Sequence, residues 1–296
     1  MNSAELDLNR LEDDTASVSQ FRLMLRRFCR NRMAVVALIF LVALVFAAVF
    51  CDRLTPYDYA KQDLLAMNQL PSREHLFGTD NFGRDIFTRV LRGARVSLLV
   101  SVMAVAMSTV VAVILGAVSG YYGGSVDNVI MRIMDILSSI PGMLLSMTVS
   151  AALGTGLVKT AIALAVSSIA QLARQLRSSI MLMKNSEYIE AARAFGASDF
   201  EIIFKHVIPN CLAPLIVQIS LSLGSTIMAI SGLSFLGLGV QPPTPEWGNM
   251  VAAGQDFIRK YPHIIIFPGL AVALTMLAFN LLGDGLRDAL DPKMKR

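Results

Sequence analysis

The chain has 296 residues, 54% of them hydrophobic and only 16% charged, with a formal net charge of +4. A soluble domain carries about 25% charged residues. Here the charges gather between long uncharged windows, which points to a polytopic membrane protein. The basic excess sits beside those windows, and no basic patch with interleaved aromatics accompanies the single Trp, which argues against a nucleic-acid partner. Cys29, Cys51 and Cys211 are scattered without C-x-x-C spacing, so they read as small apolar residues rather than a disulfide framework or metal site.

Residues 1–32 form a polar N-terminal arm, and 33–53 the first membrane span. At about 1.5 Å per residue, the uncharged stretch from Met33 to Cys51 is long enough for a hydrocarbon core of about 30 Å. A cleaved signal peptide would have a shorter apolar region. A lipoprotein signal ending at Cys51 fits poorly with bulky Phe50 before it. Residues 54–95 are too polar for the membrane and form an extracytoplasmic segment. Ile86, Phe87, Val90, Leu91 and Ala94 recur there at helical spacing, with Arg84, Arg89, Arg92 and Arg95 largely on the other side. This predicts an amphipathic helix capped by Thr79 or Asp80. It can lie on the outer membrane surface or contact a solute-delivering partner, and the two readings are compatible.

Further spans are predicted at 96–120, 136–157, 160–183, 209–236 and 264–283, six in all, with a tail over 284–296. Gly116, Gly120 and Gly124 recur every fourth residue, a spacing that lets helix backbones approach closely, within the subunit or across a dimer. Asp127, Arg132 and Asp135 sit where the third span begins, and the three-residue separation of Arg132 and Asp135 predicts an ion pair at the interface. Arg174 and Arg177 are placed to snorkel to the surface. No charge falls mid-span, whereas an ion-coupled carrier needs one near the midplane. The uncharged run 207–245 exceeds one crossing. Residues 232–239 are expected to leave helical geometry before Pro242, Pro243 and Pro245, with a re-entrant hairpin as the alternative.

Lys and Arg set the sides. Those of the arm (Arg10, Arg22, Arg26, Arg27, Arg30, Arg32), the 174–205 region and the tail (Arg287, Lys293, Lys295, Arg296), with Arg132, outnumber those opposite. Both termini and the 184–209 loop are therefore expected in the cytoplasm.

That loop is a polar island between two spans. Ser186 is a candidate N-cap, with Glu187 and Glu190 in the first helical turn. Gly196 is suited to end the helix, and Ser198 with Glu201 spells a capping box for a second one. Pro209 opens the fifth span. A helix–Gly–helix protrusion would present small Ala191, Ala192 and Ala197 to a soluble partner, with Glu190 for hydrogen bonding. An ordinary solvated loop is the other reading the residues allow.

Glu190-Ala191-Ala192, then Gly196, then Ile208-Pro209 resembles the signature of permease subunits of binding-protein-dependent ABC importers. Phe77-Gly78-Thr79-Asp80, Gly83-Arg84-Asp85, Gly93-Ala94-Arg95-Val96-Ser97-Leu98 and Gly120-Tyr121-Tyr122-Gly123-Gly124 resemble the C-type permease of dipeptide, oligopeptide and nickel importers. So do residues 232–239 with Pro242-Pro243, Trp247-Gly248, Phe267-Pro268-Gly269-Leu270 and the run from Ala278 to Pro292. The resemblance extends from about residue 20 to the end. Residues 169–174 depart from it, lacking the aromatics common before that arginine.

The resemblance implies an all-α fold of six transmembrane helices. An N-terminal anchor precedes a five-helix core of the type found in methionine and maltose importer permeases. It implies a chain of the bacterial plasma membrane that works by alternating access and pairs with a homologous second permease, two ATPase subunits and an extracytoplasmic solute-binding protein. Glu190, Ala191, Ala192, Phe195, Gly196 and Pro209 would engage the ATPase as a coupling helix. No cofactor is expected in this chain, and ATP and Mg would be bound by the ATPases. The chain has no phosphate-binding Gly-rich loop and no metal-ligand spacing, and so is not expected to be an enzyme. His75, His206 and His263 fall at separate places. Di- or oligopeptides are the expected cargo, with nickel or a metal chelate as the alternative. An exporter and a secondary carrier rank lower.

Overall fold

The computed structural model describes residues 20–290. Among them every regular element is helical, and the one extended pairing is an isolated bridge between Thr79 and Asp85. Calls that fall on residues 1–19 and 291–296, including Arg10, Lys293, Lys295 and Arg296, lie outside the described residues.

Helix α1 (Gln20–Arg30) leads into α2 (Arg32–Val49). Asn31 makes the corner: its side chain accepts from the Ala34 amide at 3.2 Å and donates to Asp288 at 3.4 Å. Helix α3 (Ile86–Tyr122) is followed by α4 (Gly124–Ser138), α5 (Gly142–Leu153) and α6 (Leu157–Met183). Beyond α6 come the short α7 (Glu187–Ala194), then α8 (Ile208–Phe235), α9 (Trp247–Gly254) and α10 (His263–Leu290). Five helices are long and apolar enough to cross a membrane, or six if the bent pair α4–α5 counts as one span.

Three spans differ from expectation. The surface helix and the second span are a single 37-residue helix, α3. No proline interrupts it, and Gly93 is needed for contact: a Cβ there would stand 2.9 Å from Trp247 Cδ1. The third span is broken, α4 meeting α5 at 85°. Pro141 cannot donate a helical hydrogen bond and biases Ile140 away from helical geometry. The last span runs on through Gly283 and Gly285, because Gly285 lets α10 touch Ala34, whose Cβ would lie 2.2 Å from a Cβ at Gly285.

The Ile86 end of the bundle is organised by charge. Asp85, not Thr79 or Asp80, caps α3, accepting from the Thr88 amide and hydroxyl at 2.7 Å each. The other Asp85 oxygen meets His75 Nδ1 at 3.0 Å. Asp80 instead holds Arg84 at 2.7 Å and Arg89 at 3.6 Å. All of these are buried, so two of the four arginines expected on a wet face, Arg84 and Arg89, are sealed beneath the 55–85 segment, while Arg92 and Arg95 stay nearer the surface. Alongside, Trp247 is fully buried against Ile86, Val90 and Ile264 and donates its indole N–H to Val90 O at 2.9 Å.

Further along α3, Gly116 and Gly120 serve packing within the subunit. A Cβ at Gly116 would lie 2.9 Å from Ala173 O, and one at Gly120 would lie 3.0 Å from Arg177 O. Glycine here lets the α3 and α6 backbones come within contact distance.

Breaking a buried pair by removing one partner costs about 3–5 kcal/mol, because a charge is left uncompensated. Asp80→Ala strands both Arg84 and Arg89, and a stability loss of about that size is expected as a lowered unfolding midpoint in detergent. Asp52 pairs with Arg92 and Arg95 from a largely exposed position, so Asp52→Ala should cost about 1 kcal/mol or less. Equal shifts for the two variants would contradict the buried network.

Candidate functional site: the loop between α6 and α8

Residues 184–209 fold into a compact protrusion at the Tyr121 end of α3. Ser186 has the extended backbone of an N-cap, but its hydroxyl donates to Met183 O at 2.6 Å rather than capping α7. Glu187 and Glu190 still place negative charge in the first turn, where the helix dipole favours it.

The end of α7 follows from Gly196. Its φ is +84°, and two bonds close the turn: Gly196 N–H to Arg193 O at 3.0 Å and Ala197 N–H to Ala192 O at 3.1 Å. This is a Schellman ending, with glycine in the left-handed position. A side chain there costs about 1–2 kcal/mol in backbone strain. A Cβ at Gly196 would meet nothing within 4 Å, so the constraint is conformational and the site faces open space.

The expected capping box forms by half. Ser198 Oγ accepts from the Glu201 amide at 3.3 Å, while the Glu201 carboxylate turns to Lys205 instead. A π-helical stretch, Ile202–Val207, then joins α8. Pro209 lies in the first turn of α8, directly after the π-helical stretch.

The underside of the loop is apolar and sealed. Ile189, Ile202 and Val207 are fully buried, packed with Ala117 and Tyr121 of α3, Leu176 and Ile180 of α6, and Cys211 of α8. Polar ties complete the seat. Tyr121 OH donates to Asp199 Oδ1 at 2.6 Å and accepts from Arg193 Nη2 at 3.2 Å, while Lys184 Nζ donates to Tyr121 O at 3.5 Å. The Tyr121 hydroxyl is thus held between an acid and a base on opposite halves of the loop. Beside it, Asp127 receives Ser119 and both arms of Arg177.

Asp135 pairs with Arg174 at 3.3 Å, not with Arg132. The antiparallel α6 presents its arginines directly to α4, so Arg174 and Arg177 are held by carboxylates rather than snorkelling freely.

The outer surface is open and mixes aromatic rings with charged side chains. Phe195 is 91% exposed, Phe200 70% and Phe204 55%, with the last two rings 4.4 Å apart. Glu190, Ala191, Gly196 and Pro209 are exposed with them, and Ala192 is half-buried. The residues singled out from the sequence therefore share one protrusion, five of the six open to solvent. Phe200 and Phe204 belong to the same surface, and their four-residue spacing within a polar stretch was the signal for them. Nothing local marked Tyr121, whose bonds span more than 70 residues of chain.

Residues 112–296 match the family model described as the binding-protein-dependent transport system inner membrane component. Residues 19–71 match the N-terminal TM domain of oligopeptide transport permease C. The dipeptide transport system permease protein DppC of Alkalihalophilus pseudofirmus is 43% identical over 96% of this chain and 93% of its own length. The glutathione transport system permease protein GsiD of Pectobacterium atrosepticum is 44% identical over 91% of this chain and 90% of its own. That of Escherichia coli O6:K15:H31 is 46% identical over 91% and 89%. Among solved structures, one of the MetNI methionine ABC transporter in inward-facing conformations contains a chain that superposes with a TM-score of 0.56. At 18% identity it covers 69% of this chain and 96% of its own, a likeness of fold. Matched nearly end to end by permeases and built on that fold, the chain belongs to the inner membrane components of binding-protein-dependent transport systems, as a multi-pass permease subunit of an ABC importer.

Proposed function

We propose that this chain forms half of the path by which peptides enter a bacterial cell, and that the loop 184–209 is where ATP-driven motion enters it. In this reading the loop and both termini are cytoplasmic, in line with the Lys and Arg count. A homologous permease completes the path, and two ATPase subunits that bind ATP and Mg grip the two permeases. An extracytoplasmic solute-binding protein delivers cargo to the opposite face. The relatives, named for dipeptide and glutathione transport, support small peptides as that cargo.

One observation carries the coupling role: the loop is seated on a buried apolar floor and exposes aromatic rings on its outer surface. A coupling element must transmit force without deforming and must offer the ATPase a surface to hold. The buried Ile189, Ile202 and Val207 and the Tyr121 ties meet the first need; Phe195, Phe200 and Ala191 meet the second. The ATPase changes the permease only as far as it binds the two permease states unequally. Ala191, exposed next to Glu190, leaves room for a partner surface to close on α7. Glu190, Phe195, Gly196 and Pro209 frame that approach.

Gly196→Arg is expected to abolish transport-coupled ATPase activity in the reconstituted transporter while the chain still inserts and assembles. Gly196→Ala carries the strain without the bulk, and should lose little beyond the conformational cost of about 1–2 kcal/mol in loop stability. Normal coupling in the arginine variant would contradict docking at this face.

Tyr121→Phe removes the hydroxyl between Asp199 and Arg193 but keeps the buried ring. It should leave assembly intact and lower coupled uptake per ATP hydrolysed several-fold, and unchanged stoichiometry would count against a stiff loop. A cysteine at Glu190 should react with an impermeant maleimide only in inside-out vesicles. Reaction in right-side-out vesicles would invert the proposed topology.

A further inference from the structure

The membrane-crossing helices α6 and α8 each carry one polar face that lipid would not tolerate. On α6, Gln171, Gln175 and Ser178 are exposed at successive helical turns, and Gln171 stands at the midpoint of the helix. On α8, half-buried Gln218 and Ser222 and exposed Ser225 follow the same spacing, with Ser222 at that helix's midpoint. The two faces adjoin: Gln175 and Gln218 line one groove between the helices, floored by Leu176 and Cys211.

Two of the three serines satisfy themselves locally. Ser178 donates to Arg174 O at 3.0 Å and Ser225 to Ser222 O at 3.1 Å, while Gln218 reaches Ser222 at only 3.5 Å. Gln171 and Gln175 have no side-chain hydrogen-bond partner among the described residues. A primary amide left bare in hydrocarbon costs several kcal/mol, and nothing at this depth but water, solute or a polar protein surface relieves it. At about 100° per residue, the opposite side of α8 presents exposed Leu212 and Ile216, and that of α6 exposed Ile162, as a lipid-facing surface requires. The two charges of α6 beside this face are turned away to α4, Arg174 to Asp135 and Ser138 and Arg177 to Asp127. The polar face is therefore neutral along its length.

We propose that Gln171, Gln175, Ser178, Gln218, Ser222 and Ser225 form this subunit's wall of the solute path. Their chemistry matches the peptide backbone: amides and hydroxyls pair with backbone N–H and C=O groups, and the face carries no charge or aromatic to sort side chains. The wall takes short peptides by their main chain and is indifferent to side-chain charge. This rests on the peptide-import reading above, so the tests separate water access from cargo.

Water access is read in the assembled transporter, with Cys29, Cys51 and Cys211 replaced and single cysteines at Gln171, Gln175, Gln218 or Ser222. The probe is a charged, impermeant methanethiosulfonate, with Ile216→Cys as the apolar-side control. Reaction about tenfold or more faster than the control at these positions is expected. Rates equal to the control would overturn the wall, and would mean that the second permease or lipid covers this face. Cargo is read with the double variant Gln175→Leu/Gln218→Leu. Losing two hydrogen-bonding groups should cut uptake of alanyl-alanine, alanyl-glutamate and alanyl-lysine by a common factor of about ten or more. A loss confined to one charge class would overturn main-chain recognition. Fast labelling with no uptake of any of the three by the unsubstituted transporter would overturn the peptide reading and leave the wall standing.

Discussion

The close approach of α3 and α6 at Gly116 and Gly120 underlies most of what this chain can do. With a side chain at either position the two backbones would part by a few tenths of an ångström at least, since a Cβ would sit 2.9–3.0 Å from carbonyl oxygens of α6. That approach brings Tyr121 and the last turns of α6 together, and the apolar floor they make receives Ile189, Ile202 and Val207 of the loop. In water such a floor would gain from burial alone. Within the bilayer, van der Waals packing and satisfied polar groups must supply the attraction, which is why small residues lie at the contact.

Charge is handled in two ways along the same helix. At the Ile86 end, Asp80, Arg84, Arg89, Asp85 and His75 are buried as a neutralising cluster that clamps the 55–85 segment over the start of α3. At the Tyr121 end, Asp127–Arg177 and Asp135–Arg174 tie α4 to α6. Each end is stiffened by interactions that would be costly to break singly. The middle carries no charge, exposes amides on α6 and holds half-buried Gln218 on α8, where the proposed path would run. On the proposed reading this division suits alternating access: stiff ends where the ATPase would act, and a neutral middle where cargo must not stick.

Much of this was legible in the sequence. The apolar stretches, the helix–glycine–helix loop and the small-residue spacing on α3 follow from spacing and composition, because a bilayer leaves few ways to satisfy a backbone, though three span boundaries do not. Gly196 was readable as a helix stop because the left-handed conformation favours glycine. The errors were tertiary. Asp80 and Asp85 are both plausible caps by local rules, and only the fold of the 55–85 segment commits Asp80 to two arginines. Arg132 lost Asp135 to a helix distant in sequence. The 85° break at Pro141 was written in the chain but lay inside an uncharged stretch that satisfied the span rule. Tyr121 gave no local sign because its partners, Asp199 and Arg193, belong to the far side of a long helical excursion.

The central claim is that the loop and the α3–α6 pair move as one body. Spin labels at Glu187 on the loop and Tyr122 at the end of α3 report this directly in the assembled transporter, nucleotide-free and with ATP trapped. Their separation should stay the same in both states, while the separation between the Glu187 position and the corresponding loop of the second permease shortens. A change between Glu187 and Tyr122 as large as that between the two loops would mean that the loop slides on its seat, and would contradict the account.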